Sequence, residues 1–289
     1  MRLRFSLWML GWVSVALLLP LWGAQKGPSA PPSTAARTLL LPRQVVAGEH
    51  ATLAVLDING RLTPDVSVSF SSGDHVKTDD TGRALFVAPL NPGVIFGSID
   101  GRPGHQPIVI LTSAEAATSS IEISSAPREA SLTDRFEVVG KGFCGDADAN
   151  QAKVSGRPAL VLASSPVYLA ILPPADLDPG GAAVELACAN RRAHPFSLSF
   201  IELELEANAA PLKPNEHRGL IVRVRGSEAK VSLEARNLAP GVATLIGGDT
   251  ATASSSGGKD NFARFELIGR KNGSFQISIR LVPTLAPSQ

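Results

Sequence analysis

The chain has 289 residues, with 27 Lys and Arg against 26 Asp and Glu, so its formal net charge is only +1. That balance excludes a strongly basic surface for nucleic acid and any general electrostatic pull toward an anionic membrane. Hydrophobic residues make up 44% but aromatics only 5%, and 26 glycines and 22 prolines punctuate the whole length. Such a chain reads as many short strands joined by turns, with length enough for two or three domains.

At the N-terminus, Arg2 and Arg4 precede an apolar run from Phe5 to Leu19, followed by Pro20, Gly23 and Ala24. This is the order of a secretory signal, expected over residues 1–24. Trp22 fits poorly three residues before a cut after Ala24, and Phe5 to Ala24 is long enough to span a bilayer. A cleaved signal and an uncleaved inner-membrane anchor helix are therefore both open, and in either case the remainder is exported. No cysteine follows the apolar run, which excludes a lipid-modified terminus. Residues 25–37, rich in Pro, Ser and Ala, read as a flexible stalk.

A first β unit is expected over residues 38–113. In "VSVSF", Val66, Val68 and Phe70 share one face for burial while Ser67 and Ser69 face water. Asp79, Asp80, Thr81 and Gly82 predict a tight turn in which carboxylates accept backbone N–H groups and Gly82 takes a positive φ. Asn91, Pro92 and Gly93 predict another. The turn, the strand behind it and the Pro-Gly that follows resemble the bacterial immunoglobulin-like domains of surface proteins.

The second unit, residues 114–200, contains Pro127, "GKGF" at Gly140 to Phe143, a short strand around Val154 before Gly156, "SSPVYLAILPP" from Ser164, and the Pro179-Gly180 turn. In that order, over residues 121–200, these features resemble an IPT/TIG domain. The resemblance implies an immunoglobulin-like sandwich of the kind found in cell-surface receptors, polysaccharide enzymes and some transcription factors. The third unit, residues 201–284, is a β-sandwich by pattern alone, ahead of a short tail at 285–289. Phe200 and Ile201 break the alternation of Phe196, Leu198 and Phe200, which predicts one strand passing from the second unit to the third. The expected fold is all-β, tandem immunoglobulin-like sandwiches behind the N-terminal segment. The short junctions predict that the three units stand end to end, as a rod.

Chemistry is sparse. Asp146, Asp148 and Asn150 alternate like the first ligands of a calcium loop, but the sixth position holds Gln151 instead of Gly and the twelfth Arg157 instead of Glu. The stretch reads as a turn, and no metal is expected. Cys144 lies in the same loop and Cys188 on a strand of the same unit; in an exported protein they invite a disulfide, two separate buried thiols being the alternative. His50, His75, His105, His194 and His217 are scattered without zinc spacing. "SSSGGKDN", Ser254 to Asn261, fails as a phosphate loop at Ala253 and at Asp260. Arg223 and Arg225 alternate with Val222 and Val224, as on a solvated strand face; Arg191 and Arg192 are the other basic pair. No catalytic constellation and no cofactor motif emerges. The expected function is a non-catalytic adhesion, binding or scaffold module at the bacterial cell envelope, its partner a protein or polysaccharide, with no nucleic acid and no membrane contact beyond the N-terminal segment. A carbohydrate-binding accessory protein is the alternative. Against it, after the signal there is one tyrosine, Tyr168, and no tryptophan.

Overall fold

The structure is a computed structural model that describes residues 37–206, 212–273, 275–283 and 285–287. The expected signal or anchor and stalk residues 25–36 lie outside the described residues. The regular structure among the rest is nearly all strand, and among the described residues no helix is long and apolar enough to cross a membrane.

The first sandwich comprises β1 (Thr38–Leu40), β2 (Gln44–Val46), β3 (His50–Leu56), β4 (Ser67–Phe70), β5 (His75–Lys77), β6 (Arg83–Val87), β7 (Gly93–Ile99) and β8 (Gln106–Leu111). One layer pairs β1, β3 and β6; the other is the five-stranded sheet β2-β8-β7-β4-β5. The N-terminal strand is split. β1 pairs antiparallel with β3, then the chain crosses and β2 runs parallel to β8. That switch, and the two layers it produces, are the immunoglobulin-like arrangement. Leu53 and Val55 from one layer meet Val68, Phe70, Ile108 and Ile110 from the other. Phe70 and Phe86 pack with ring centroids 4.8 Å apart. The alternation of "VSVSF" is realised: Val66, Val68 and Phe70 are buried, Ser67 is exposed and Ser69 half-buried. The Asp79 turn also forms, with Gly82 at φ 75° and its N–H donating to the Asp79 carbonyl. Only glycine fits there, because a Cβ would stand 2.5 Å from the Thr63 nitrogen.

A single helical turn, α1 (Ser113–Ala116), leads to β9 (Glu122–Pro127), β10 (Glu129–Ser131), β11 (Phe136–Lys141), β12 (Asn150–Val154), β13 (Arg157–Ser165), β14 (Tyr168–Leu172), β15 (Gly180–Cys188), β16 (Arg191–Arg192) and β17 (Phe196–Glu206). The split first strand recurs, β9 pairing with β11 and β10 running parallel to β17. One layer is β9-β11-β14-β13; the other runs from the start of β13 through β12 and β15 to β17. Strand β13 serves both layers, bending where its register shifts between Val161 and Ala163. Phe136, Val138, Leu169 and Ile171 pack on Val154, Val184, Leu186 and Phe200 between the layers.

The third sandwich uses the end of β17 with β18 (His217–Arg225), β19 (Ser232–Asn237), β20 (Ala243–Leu245), β21 (Thr250–Ser254), β22 (Phe262–Gly269) and β23 (Ile277–Val282). Sheet β17-β18-β22-β20 faces sheet β21-β19-β23 across Val222, Leu233, Ala235, Phe265 and Leu267. Strand β17 does pass between sandwiches at the predicted break: Phe200 belongs to the second core and adjacent Ile201 to the third, each 0% exposed. Residues 285–287, expected in a tail, form β24 (Leu285–Pro287) and pair with β9 of the second sandwich.

The first two sandwiches do not meet simply end to end. Leu40 and Ala54, on the side of β1 and β3 away from the first core, pack with Leu162, Ala163, Tyr168 and Ala170 in a fourth buried layer. Thr52 of β3 pairs with Ser164 of β13, so one sheet continues from the first sandwich into the second. The junction at 114–120 is short, yet it lets the outer side of β1 and β3 pack on β13 and β14. Burying that apolar area outweighs any preference a short linker has for extension.

Candidate functional site

The loop after β11 carries the residues most able to bind a cation, and each is committed elsewhere. Asp146 caps the 3₁₀ turn Ala147–Ala149, its Oδ1 accepting from the Asp148 N–H at 3.0 Å. Asp148 pairs with Arg83 of the first sandwich at 2.7 Å. The Asn150 amide folds back onto the loop, accepting from the Cys144 N–H and donating to the Cys144 and Asp146 carbonyls at 2.8–2.9 Å. Among the described residues no three His, Cys, Asp or Glu side chains are grouped to hold a metal.

Cys144 and Cys188 are disulfide-bonded, with Cα atoms 5.6 Å apart. The bond ties the loop to the end of β15, where Asn150 is the cross-strand neighbour of Cys188. The fastened loop then fills the seam between sandwiches. Thr52 Oγ1 donates to the Gly145 carbonyl at 2.9 Å and accepts from the Ala147 N–H at 3.0 Å, and Ser164 Oγ donates to the same Gly145 carbonyl at 2.7 Å. A Cβ at Gly145 would lie 1.9 Å from the His50 carbonyl oxygen, so only glycine allows this approach. A groove of about 580 Å³ runs beside the loop, lined in part by His50, Leu85, Phe143 and Arg191.

A second cleft, about 300 Å³, brings Arg43, Arg135 and Arg280 together with Glu129, Asp134, Glu137 and Glu234. Its arginines are paired, Arg43 with Glu137 at 2.8 Å, Arg280 with Glu234 at 2.7 Å and Arg135 with Asp134 at 3.3 Å. Beneath Glu137 lies Tyr168, 0% exposed, whose hydroxyl stands beside the Glu137 carboxylate without a hydrogen bond of ordinary geometry. Burial, then the charge of Glu137, hold that phenol far above its usual range.

Arg223 and Arg225 belong to a solvated ladder. Across β17 and β18, Glu202 stands opposite Arg225 and Glu204 opposite Arg223; Arg225 pairs with Glu202 and Glu204, and Arg223 with Glu206. Arg191 Nη2 reaches the Cys188 sulfur at 3.3 Å. "SSSGGKDN" is the β21–β22 connection, held by Asn261, which accepts from the Gly257 N–H and donates to the Ser227 and Ala229 carbonyls. The histidines lie on separate segments, and His217 pairs with Glu266 at 2.7 Å.

His75 has a different setting from the aspartates beside it in sequence. Its Nδ1 lies 2.8 Å from Ser69 Oγ, which in turn donates to Asp100 Oδ1. The serine proton goes to Asp100, which leaves the Ser69 oxygen to accept from Nδ1 when that nitrogen carries a proton. A hydrolytic triad needs the imidazole between hydroxyl and carboxylate so that it can take the hydroxyl proton. Here the hydroxyl is in the middle, and the trio is a set of hydrogen-bonding groups on an open sheet.

That sheet is the outer face of β2-β8-β7-β4-β5. Val94 stands opposite Val109 and Phe96 opposite Pro107, and all four are exposed, Val94 at 55%, Phe96 at 46% and Val109 at 39%. The next outward residues on β7 and its exit turn are Ser98 and Asp100. Sequence reasoning missed this surface, although "VIFGSID" held the signal: both alternate sets begin with large apolar residues, so one of them must face outward. Exposed apolar cross-strand pairs are unusual on the outer face of an antiparallel sheet. The comparable faces of the other sandwiches carry Gln151, Lys153 and Glu185, and the Glu and Arg ladder.

No family model matches the chain, and no curated protein sequence matches it. Among solved structures it is similar to the surface layer protein SbsC, domains 1–6, at 11% identity over 88% of this chain and 39% of that one, with a TM-score of 0.22. It is also similar to SGBP-B of the Bacteroides ovatus mixed-linkage glucan utilization locus, in complex with a mixed-linkage heptasaccharide. There the identity is 11% over 89% of this chain and 76% of that one, with a TM-score of 0.34. A third similarity is to the plexin A4 extracellular region, at 10% identity over 91% of this chain and 25% of that one, with a TM-score of 0.31. Likenesses this distant carry no functional argument. The all-β, immunoglobulin-like description rests on the strand pairing itself.

Proposed function

We propose that this protein is an exported, non-catalytic β-sandwich module of the bacterial cell envelope, acting in binding, adhesion or scaffolding. The observation that carries the reading is the outer face of β2-β8-β7-β4-β5, where apolar side chains and hydrogen-bonding groups lie side by side on a rigid, uncovered sheet. A disulfide within the second sandwich supports an oxidising compartment outside the cytoplasm. The split first strand and the "GKGF" bend of the second sandwich, where Gly142 has φ 83°, support the IPT/TIG resemblance of residues 121–200. In this reading the sandwiches seated on one another present the open face rigidly to a protein or polysaccharide outside the cell.

Protease shaving and fractionation of cells carrying a tagged copy test the location. The tag is expected in the envelope or medium, with Cys144 and Cys188 resistant to alkylation until reduced. A cytoplasmic protein with two alkylatable thiols overturns the reading. So does turnover, above a heat-treated control, on a panel of ester, peptide and glycoside substrates.

A further inference from the structure

We propose that the outer face of β2-β8-β7-β4-β5 binds a glycan chain, one sugar ring stacking on Phe96 while Ser98, His75 and Asp100 hydrogen-bond hydroxyls of its neighbour. The proposal rests on the module reading above and adds the class of ligand and the residues that take it. A pyranose has two C–H faces and a rim of hydroxyls, so it fits a surface with an apolar half beside a polar half. This face is divided in that way. Val94, Phe96, Pro107 and Val109 form two direct cross-strand pairs at one end. Ser98 stands opposite Ser69, and Ser69 opposite His75, at the other. Outward residues on one strand recur about every 7 Å, less than the length of a disaccharide, so Phe96 and Ser98 can reach adjacent units.

The polar groups are set in advance. Ser69 is held between His75 and Asp100, which fixes the imidazole and the carboxylate at the exposed surface. Phe96 is fixed through its backbone, its N–H donating to Ser71 Oγ at 3.0 Å and its carbonyl accepting from the Ser71 N–H at 2.8 Å. Groups already ordered lose little entropy when a ligand arrives.

Area decides between a glycan and a second copy of this chain. The four apolar side chains expose on the order of 300 Å², whereas a stable protein interface takes about 800 Å² from each partner. The apolar strip falls well short of a dimer interface and suits the single ring stacked on Phe96. The flanking groups suit hydroxyls better than an opposing sheet, which would strand His75 and Asp100 without water.

Affinity electrophoresis tests this, with the purified protein run through native gels containing β-glucan, xylan, galactomannan or α-glucan. Retardation is expected in at least one. Phe96→Ala should weaken the apparent affinity by about tenfold or more, and Asp100→Asn by about threefold to tenfold. Phe262→Ala, which removes an exposed ring from the third sandwich, should leave it unchanged. All three variants should keep the parent's circular dichroism and unfolding midpoint, so a lost shift is not lost folding. Unretarded migration in every gel, or retardation that survives Phe96→Ala, overturns the proposal. A protein that instead doubles in mass with concentration, and stops doing so in Phe96→Ala, assigns the face to a second copy and overturns it too. None of these failures bears on the envelope location, which the shaving experiment reads separately.

Discussion

The two outer faces of the first sandwich are built from the same alternating strands and meet opposite fates. On one, the second sandwich covers Leu40, Ala54 and Thr52, which are 4%, 0% and 4% exposed, and leaves the β6 edge bare, with Leu85 at 50% and Val87 at 52%. On the other, Val94 and Phe96 are 55% and 46% exposed. The covered face also satisfies its polar groups: Thr52 holds the disulfide loop, Ser165 Oγ donates to the Gln44 carbonyl at 2.6 Å, and Arg83 donates to the Val161 carbonyl at 3.2 Å. The lesson is one of division of labour. A covered face spends its side chains on stability, whereas a bare one can change them at little cost and so is open to selection for binding.

The largest expected contrast is between single truncations on the two faces. Tyr168→Ala should cost about 3–5 kcal/mol in urea unfolding, as for other large buried rings, while Phe96→Ala should stay within about 0.5 kcal/mol. Similar losses for both would erase the distinction between the faces. Tyr168→Phe sharpens it. Because the hydroxyl is buried without a hydrogen bond of ordinary geometry, its removal should leave stability unchanged or raise it.

Opening the disulfide comes next. The bond closes a separation of 44 residues, for which the chain-entropy relation gives about 4 kcal/mol. Paired Cys144→Ser and Cys188→Ser substitutions should lose about that much. Hydrogen exchange at the Ala147 amide, bonded to Thr52 across the seam, should rise before exchange at β7 or β8 does. Equal acceleration in both places would mean the loop does not hold the seam.

Arg83→Ala should cost about 2–3 kcal/mol, since it removes a charged donor from a buried carbonyl and leaves that carbonyl unpaired. Asp148→Asn should cost less than about 1 kcal/mol, because its carboxylate is 73% exposed and water screens the pair. A double-mutant cycle reads the coupling, and a larger effect at Asp148 than at Arg83 would contradict the geometry.

The smallest effect concerns the turn that delivers Arg83. The Thr81 hydroxyl and the N–H groups of Arg83 and Thr81 hold the Asp79 carboxyl below its ordinary value of 3.8. A lowered pKa in the folded state means stability present above 3.8 and lost as pH falls through the folded value. Asp79→Asn should therefore lower the unfolding midpoint slightly at neutral pH, and the gap from the parent should close below pH 3.8. A gap that widens on acidification would reverse the sign.

Local pattern determined a good deal by itself. Alternation in "VSVSF" named its buried residues, Gly82 and its aspartate named a turn, and the Phe200-Ile201 slip marked one strand serving two cores. Two cysteines in one unit of a chain expected to be exported pointed to their bond, and the Val and Arg alternation of β18 pointed to a solvated face. These features are legible because the interactions that cause them lie within a few residues or follow from composition.

Whether a second face is also covered is a different kind of fact. Tyr168 and Leu162 look like any outward strand residues until the first sandwich lies on them, and Phe96 looks like a core residue until nothing does. The trio of Ser69, His75 and Asp100 comes from two strands and the turn leaving a third, so pairing across the sheet, not spacing along the chain, brings it together. For the same reason the end-to-end junction expected between the first two sandwiches gave way to packing of one on the other. A linker's length limits where two domains can go, but the apolar area they bury when they meet decides where they stay.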